Sequence, residues 1–177
     1  GYYNNVEATT KAIDENGWFH TGDAGYMDEN GNLFLTERLK ELFKTSNGKY
    51  IAPQSIESNL VVDRFIDQIV IIADQRKYVS ALIVPDFSQL EKWAQVNTAL
   101  ATLSREELVR HAEVKKLFYE RIETLQQHFA HFEMVKKFTL LPDAFTMEKG
   151  EMTNTLKIKR AVVYQHYKDV IESMYQE

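Results

Sequence analysis

The sequence predicts an α+β fold in which helices flank a small three-stranded sheet, with a tail of about 40 residues in front of it. Three short runs rich in β-branched residues predict the sheet: QIVIIAD at 68–74, YVSALIVP at 78–85 and KKFTLLP at 136–142. The segments between and after them have the apolar periodicity of amphipathic helices. Of the 177 residues 44% are hydrophobic, which is enough for one buried core.

The tail combines a short helix, two turns and a strand. Val6 to Ile13 is predicted to be helical and to end at the Asp-Glu-Asn-Gly turn of 14–17. A similar turn at 28–31 precedes a strand from Leu33 to Leu35. Between them Asp23 is predicted to lie at a turn tip, beside a flexible glycine. A carboxylate there either caps its own backbone or accepts hydrogen bonds from the diol of a sugar.

A hairpin is predicted next, with residues 39–43 and 49–51 as its arms and Thr-Ser-Asn-Gly (45–48) as its tip. The tip and the following Lys49 resemble a phosphate-binding loop at first sight. Such a loop needs a glycine before the Gly-Lys pair and a Ser or Thr after it, and this chain has Phe43 and Tyr50 at those places. We therefore interpret the segment as a hairpin tip.

The remaining elements surround the sheet. Pro53 is suited to the first turn of a helix, and the runs 68–74 and 78–85 are expected to pair as an antiparallel hairpin. Residues 87–96 have a helical pattern. The capping box that begins at Ser104 is predicted to open one long amphipathic helix reaching about Phe129. A last helix is predicted from Lys159 to Met174.

Charge and composition exclude several classes of protein. The net charge of -5 argues against a nucleic-acid partner, and the absence of cysteine excludes disulfides and thiolate chemistry. No apolar run approaches the ~18 residues of a spanning helix. His128 and His131 have no third ligand nearby, so we predict no metal site there. We expect a cytoplasmic protein, and the amphipathic helix leaves open a peripheral contact with the inner face of the membrane.

Cations cluster just before the last predicted helix. TNTLKIKR (153–160) places Lys157, Lys159 and Arg160 between a loop and the helix start. Cations at this end oppose the helix dipole. The cluster is either an ordinary charged helix start or a site for a phosphate ligand, and the unfavourable placement makes the ligand more plausible than it would otherwise be.

Three segments, in this order, resemble one known family. They are GYYNNVEATTKAIDENGWFHTGD, GNLFLTERLKELFKTSNGKYIAPQSIE and GEMTNTLKIKR. The chain is similar along its whole length to the carboxyl-terminal portion of the AMP-forming acyl-CoA synthetases, and more narrowly to bacterial long-chain fatty acid CoA ligases. One departure is Thr155-Leu156, where many relatives have Ser-Gly before the catalytic lysine.

The resemblance implies a two-step reaction. ATP and a fatty acid give an acyl-adenylate and pyrophosphate, and the thiol of CoA then displaces AMP. The implied organisation is a terminal fragment of the large N-terminal domain at 1–37, a hinge at 38–40 and a mobile C-terminal domain at 41–177. The N-terminal domain missing from this chain would bind most of the ATP and Mg²⁺, so we expect the chain alone to be inactive. Its N-terminus resembles a cut within a longer protein.

The resemblance also implies roles for six residues. Asp23 and Arg38 match residues at the ribose of the nucleotide, and Lys44 and Tyr50 match positions near the adenylate in the second orientation of the mobile domain. Lys40 matches the hinge position. Lys157 matches the catalytic lysine of adenylate formation, in which a cation stabilises the charge that develops on the α-phosphate.

Alternatives remain open because the acyl pocket lies outside this sequence. Within the same class they are a medium-chain synthetase, a peptide-synthetase adenylation domain and a fatty acyl-AMP ligase. From another class, the chain could be a non-catalytic interaction module that has kept the fold.

Overall fold

The computed structural model describes residues 1–96 and 100–176. The chain divides into two compact units, Gly1–Leu42 and Phe43–Glu177. Each unit has its own sheet pairing, and the predicted α+β fold is confirmed in the second. None of the helices in the described part of the chain combines the length and apolar character of a membrane-spanning segment.

The first unit contains one helix and one two-stranded sheet. Helix α1 (Val6–Ala12) is capped by the side chain of Asn5, which accepts the N–H of Ala8. Strands β1 (Asp23–Met27) and β2 (Leu33–Arg38) pair antiparallel. The predicted helix and second strand are present, but β1 was missed, and Asp23 opens a strand instead of standing at a turn tip. None of the side chains described in this unit is buried.

The second unit is built on a three-stranded sheet. A short hairpin, β3 (Phe43–Lys44) and β4 (Tyr50–Ile51), comes first, with its tip at 45–48 as predicted. The prediction of its first arm at 39–43 was wrong, because residues 39–41 form a 3₁₀ turn. The sheet consists of β5 (Ile66–Ile72), β6 (Val79–Pro85) and β7 (Val135–Leu140), with β6 in the centre, antiparallel to β5 and parallel to β7. Every residue of β6 is buried, as expected for a central strand covered on both faces.

Helices pack against this sheet. They are α2 (Pro53–Leu60), α3 (Phe87–Gln95), α4 (Arg105–Leu108), α5 (Ala112–Leu125), α6 (Arg160–His166) and α7 (Lys168–Tyr175). Leu90 of α3, Phe118 of α5 and Val163 of α6 are each fully buried in the core. Tyr175 hydrogen-bonds Ser80 and two backbone carbonyls, and burial raises the pKa of its hydroxyl to about 12.

Two helix predictions were wrong in the same way, because each long helix is in fact two. The capping box at Ser104 is present, but its helix ends at Leu108, and the second helix ends at Leu125, before Phe129. The apolar stripe of α5, which runs back from Phe118 to Val114, would continue at position 110, where Arg110 is exposed. The last predicted helix is interrupted at Tyr167, whose backbone leaves the helical region (φ −105°, ψ 22°).

Candidate active site

Asp23 and Arg38 form a cross-strand pair in the first unit. They are register partners of β1 and β2, and the Nε of Arg38 donates to Oδ1 of Asp23 at 2.9 Å. This hydrogen bond raises the pKa of the Arg38 guanidinium above its ordinary value. The structure thus brings together two residues that the resemblance assigns to the ribose, and it offers a carboxylate acceptor beside a forked donor.

Lys40 lies in a single 3₁₀ turn, Leu39–Glu41, near the end of the first unit. The backbone is extended on both sides of the turn, at Arg38 (φ −99°, ψ 117°) and at Leu42 (φ −69°, ψ 133°). The N–H of Leu39 donates to the carbonyl of Gly22 at 2.8 Å, and the side chain of Lys40 is exposed. A short turn between two extended residues can absorb a change of backbone angle without breaking a long element.

Lys44 and Tyr50 face each other across the hairpin β3–β4. They are register partners, both are exposed, and the Nζ of Lys44 lies 5.7 Å from the centroid of the Tyr50 ring. The carbonyl of Lys44 accepts the N–H of Gln75 at 2.8 Å, which ties the hairpin to the turn between β5 and β6. The hairpin therefore presents a cation and an aromatic ring together, a pairing suited to an anionic, planar ligand.

A basic pocket lies beside the tip of this hairpin. It has a volume of about 190 Å³ and is lined by Thr45, Asn47, Lys49, Lys77, Tyr78, His131, Phe132, Met134 and Lys136. The Nζ of Lys49 is 5.6 Å from the Phe132 ring centroid, and the Nζ of Lys136 is 3.5 Å from Nε2 of His131. None of these lining residues is acidic. No pattern in the sequence predicts this pocket, because its cations come from segments far apart along the chain.

Lys157 lies near the tip of a narrow hairpin that spans residues 151–159. Met152 and Ile158 form an antiparallel bridge at its base, and the N–H of Thr153 donates to the carbonyl of Lys157 at 2.8 Å. Leu156 adopts a left-handed backbone (φ 59°) to close the tip. The Lys157 side chain is exposed, and none of the described residues makes a hydrogen bond or ion pair with its ammonium group. The cation is thus presented outward.

Arg160 has a partner within the protein, whereas the sequence suggested a phosphate ligand. It is the first residue of α6, and its guanidinium forms a forked ion pair with the carboxylate of Glu57 on α2, with 2.7 Å between Nη1 and Oε1. The same carboxylate accepts the N–H of Ile71 at 2.7 Å. The Glu57 side chain is 16% exposed. The unfavourable placement of Arg160 at a helix start is therefore offset by a structural partner, and it no longer indicates a phosphate ligand.

The fold and these side chains define a class of protein. The AMP-binding enzyme C-terminal domain matches residues 41–177, and the chain belongs to this family. The family and fold predicted from the sequence are confirmed.

Two relatives are long-chain-fatty-acid–CoA ligases. FadD15 of Mycobacterium tuberculosis is 37% identical over 175 residues, and human long-chain-fatty-acid–CoA ligase 1 is 34% identical over 178 residues. Each match covers 99% of this chain but only 29% and 25% of the respective relative. The chain thus spans less than a third of the length of these relatives.

Solved structures share the fold. The adenylation domain of a carboxylate reductase from Mycobacterium chelonae matches with a TM-score of 0.79 at 24% identity, covering 100% of this chain and 26% of that one. The adenylation domain of a carboxylic acid reductase from Segniliparus rugosus, in complex with AMP and a co-purified carboxylic acid, matches with a TM-score of 0.78 at 24% identity. That match covers 99% of this chain and 26% of the other.

Proposed function

We propose that this chain is the C-terminal portion of an AMP-forming long-chain fatty acid CoA ligase. The 37% identity to such a ligase along nearly the whole chain supports the substrate class. The observation that carries the catalytic role is the exposed Lys157 at the tip of an anchored hairpin. Residues 41–177 are the mobile domain, 38–40 the hinge, and 1–37 the end of a larger N-terminal domain.

Exposed apolar side chains support the assignment of residues 1–37. Trp18 is 73% exposed, Leu33 64% and Leu35 68%, and no described side chain of this unit is buried. A segment of this kind gains stability only by covering its apolar surface with other protein, at about 25 cal/mol per Å². A larger domain preceding this chain would provide that cover.

Adenylate formation needs a cation at the α-phosphate. An oxygen of the fatty acid carboxylate attacks the α-phosphorus, an O–P bond forms, and the bond to the pyrophosphate oxygen breaks with its electron pair. Both reactants are anions, so negative charge accumulates on the phosphoryl oxygens. Lys157 stabilises this charge, while Asp23 accepts hydrogen bonds from the ribose hydroxyls beside Arg38.

Thioester formation makes a different demand on the same site. The CoA thiol loses its proton to solvent, its sulfur attacks the acyl carbonyl carbon to form a C–S bond, and AMP leaves with the electron pair of the broken C–O bond. No charge builds up on a pentavalent phosphorus, so Lys157 is not needed. Rotation about Lys40 exchanges it for the hairpin face that carries Lys44 and Tyr50.

The basic pocket beside the hairpin supports CoA as the co-substrate. The nucleotide end of CoA carries phosphates and a flat base, which match the Lys49 and Lys136 ammonium groups and the Phe132 ring. Among residues 1–96 and 100–176 no cluster of three acidic or histidine side chains is placed to hold a metal ion. As the resemblance implies, we assign Mg²⁺ binding to the larger N-terminal domain.

The test is a comparison of the two half-reactions in the full-length polypeptide. Lys157→Ala should slow pyrophosphate release from ATP and palmitate by about 10²–10³-fold, while thioester formation from supplied palmitoyl-adenylate stays close to wild type. Lys159→Ala removes an exposed cation two residues away and is the matched control. Equal losses in both steps would refute the role of Lys157.

A series of fatty acids then defines the substrate. If pyrophosphate release is fastest with palmitate, the long-chain assignment is supported. If the rate of release is highest with shorter acids, the enzyme is a medium-chain synthetase. Adenylate that accumulates without transfer to CoA indicates a fatty acyl-AMP ligase. The 177-residue chain alone should show no activity, and a full-length polypeptide that is inactive with every acid would favour a non-catalytic module.

A further inference from the structure

Glu151 anchors the base of the hairpin that carries Lys157. It is 1% exposed, and within residues 151–159 it is the one buried side chain. Its carbonyl accepts the N–H of Lys159 at 2.7 Å, which closes the hairpin just below the bridge between Met152 and Ile158. Met152 and Ile158 pack against the hydrophobic core, so the base of the hairpin is held by these two side chains together with the buried Glu151 carboxylate.

The Glu151 carboxylate joins the hairpin to two other parts of the domain. Its Oε2 accepts the N–H of Thr146 at 3.3 Å, in the loop that follows β7, and its Oε1 lies 3.0 Å from Nδ1 of His166 on α6. The carbonyl of Thr146 in turn accepts the N–H groups of Glu151 and Met152. A buried carboxylate is costly unless its oxygens have hydrogen-bonding partners, and here each oxygen has one.

Strain at the tip makes this anchor necessary. Leu156 has φ 59°, a conformation that is unfavourable for a residue with a side chain. Its side chain is 67% exposed and gains little from burial. The conformation therefore persists because the hydrogen bonds of the hairpin and its buried base impose it. Without the anchored base, the tip alone would not fix the position of the Lys157 backbone.

We infer that Glu151 and His166 are positioning residues for Lys157, a role that rests on the proposed function. The contact between the buried Glu151 carboxylate and the half-exposed His166 imidazole holds the hairpin on α6, so that the Lys157 ammonium occupies one place relative to the domain. Since a displacement of about 1 Å can cost 10²-fold in rate, the pair controls adenylate formation without touching a substrate.

Amide hydrogen exchange in the 177-residue chain tests the anchor without any activity. In His166→Leu, the amides of Thr153, Leu156 and Lys159 should exchange about tenfold faster, while those of β5 and β6 stay unchanged. His166→Asn should restore protection, because its amide nitrogen can take the position of Nδ1. Glu91→Ala, which removes the exposed ion pair with Arg105, is the control.

Half-reaction rates in the full-length polypeptide test the positioning role. His166→Leu should lower the kcat of adenylate formation about tenfold with little change in the KM for ATP, and His166→Asn should recover it. Glu151→Gln gives a second variant of the same anchor and should lower kcat in the same way. Thioester formation from palmitoyl-adenylate should be spared in all of them.

Two results would overturn the inference: unchanged exchange of the three hairpin amides in His166→Leu, or faster exchange with no loss of adenylate formation. A failure of the proposed function gives a different pattern. In that case Lys157→Ala itself leaves adenylate formation intact, whatever the exchange data show.

Discussion

The Lys157 side chain differs from those of Arg38, Lys44 and Arg160 in having no side-chain partner among the described residues. Arg38 is paired with Asp23, Lys44 lies near the Tyr50 ring, and Arg160 is fixed by Glu57. Among the described residues, none pairs with the Lys157 side chain. Its location is therefore set by its backbone, and a cation held in this way can bind and release an anion without first breaking an internal ion pair.

At the same scale, the basic pocket predicts a selective effect on CoA. If the proposed function holds, Lys136→Ala in the full-length polypeptide should raise the KM for CoA about five- to tenfold, because a partly exposed ion pair with a phosphate contributes about 1 kcal/mol. Adenylate formation should be unaffected. Steady-state kinetics with CoA as the varied substrate measures the first effect, and pyrophosphate release measures the second.

Lys116→Ala is the matched control, since Lys116 is exposed on α5 and pairs only weakly with Glu120, at 3.7 Å. If Lys136→Ala and Lys116→Ala changed the KM for CoA equally, the pocket would have no specific role, and the proposed co-substrate contact would be wrong.

At the scale of elements, local signals were predictable and long-range ones were not. The capping box of Ser104 and the Pro53 start of α2 depend on neighbouring residues, and both are present. The split between α4 and α5 depends on where the apolar stripe meets the core. The Glu57–Arg160 pair joins residues 103 positions apart, so no pattern in the sequence could reveal it.

The backbone of the hairpin tip shows what the departure at Leu156 costs in conformational energy. The resemblance implies a glycine before the proposed catalytic lysine in many members of the family, and here the residue is Leu156 with φ 59°. Glycine adopts this conformation freely, whereas a side chain makes it cost about 1–2 kcal/mol. The substitution thus leaves the hairpin geometry intact at the expense of local strain.

Leu156→Gly should therefore stabilise the domain slightly. Relief of about 1–2 kcal/mol of strain is partly cancelled by the greater freedom of glycine in the unfolded chain, about 0.5–1 kcal/mol, so the net gain should be about 0.5 kcal/mol. Denaturant unfolding of the 177-residue chain measures it. Asn154→Gly, at an exposed position of the same hairpin without a positive φ, should destabilise instead. A loss of stability in Leu156→Gly would show that the tip is not strained.

At the scale of the whole molecule, the chain divides just after the proposed pivot. The first unit ends at Leu42 and the family match begins at residue 41, so Lys40 lies at the border between two independently paired parts. The two proposed half-reactions need different charged groups at the same site. Exchanging the side chains between the steps can stabilise each transition state more than one fixed set of side chains could. A pivot at this border permits such an exchange without disturbing either sheet.

Lys40→Pro tests the pivot. Proline fixes φ of residue 40 near −65°, a value compatible with the 3₁₀ turn, and it thereby prevents a large rotation about this bond. Adenylate formation should therefore proceed near the wild-type rate, whereas thioester formation from palmitoyl-adenylate should fall by at least about tenfold, because the second orientation becomes inaccessible. Rapid-quench measurement of both steps in the full-length polypeptide separates them. Lys40→Ala removes the charge but keeps the backbone free, so it should retain both rates. Normal thioester formation in Lys40→Pro would mean that the domain turns about another residue.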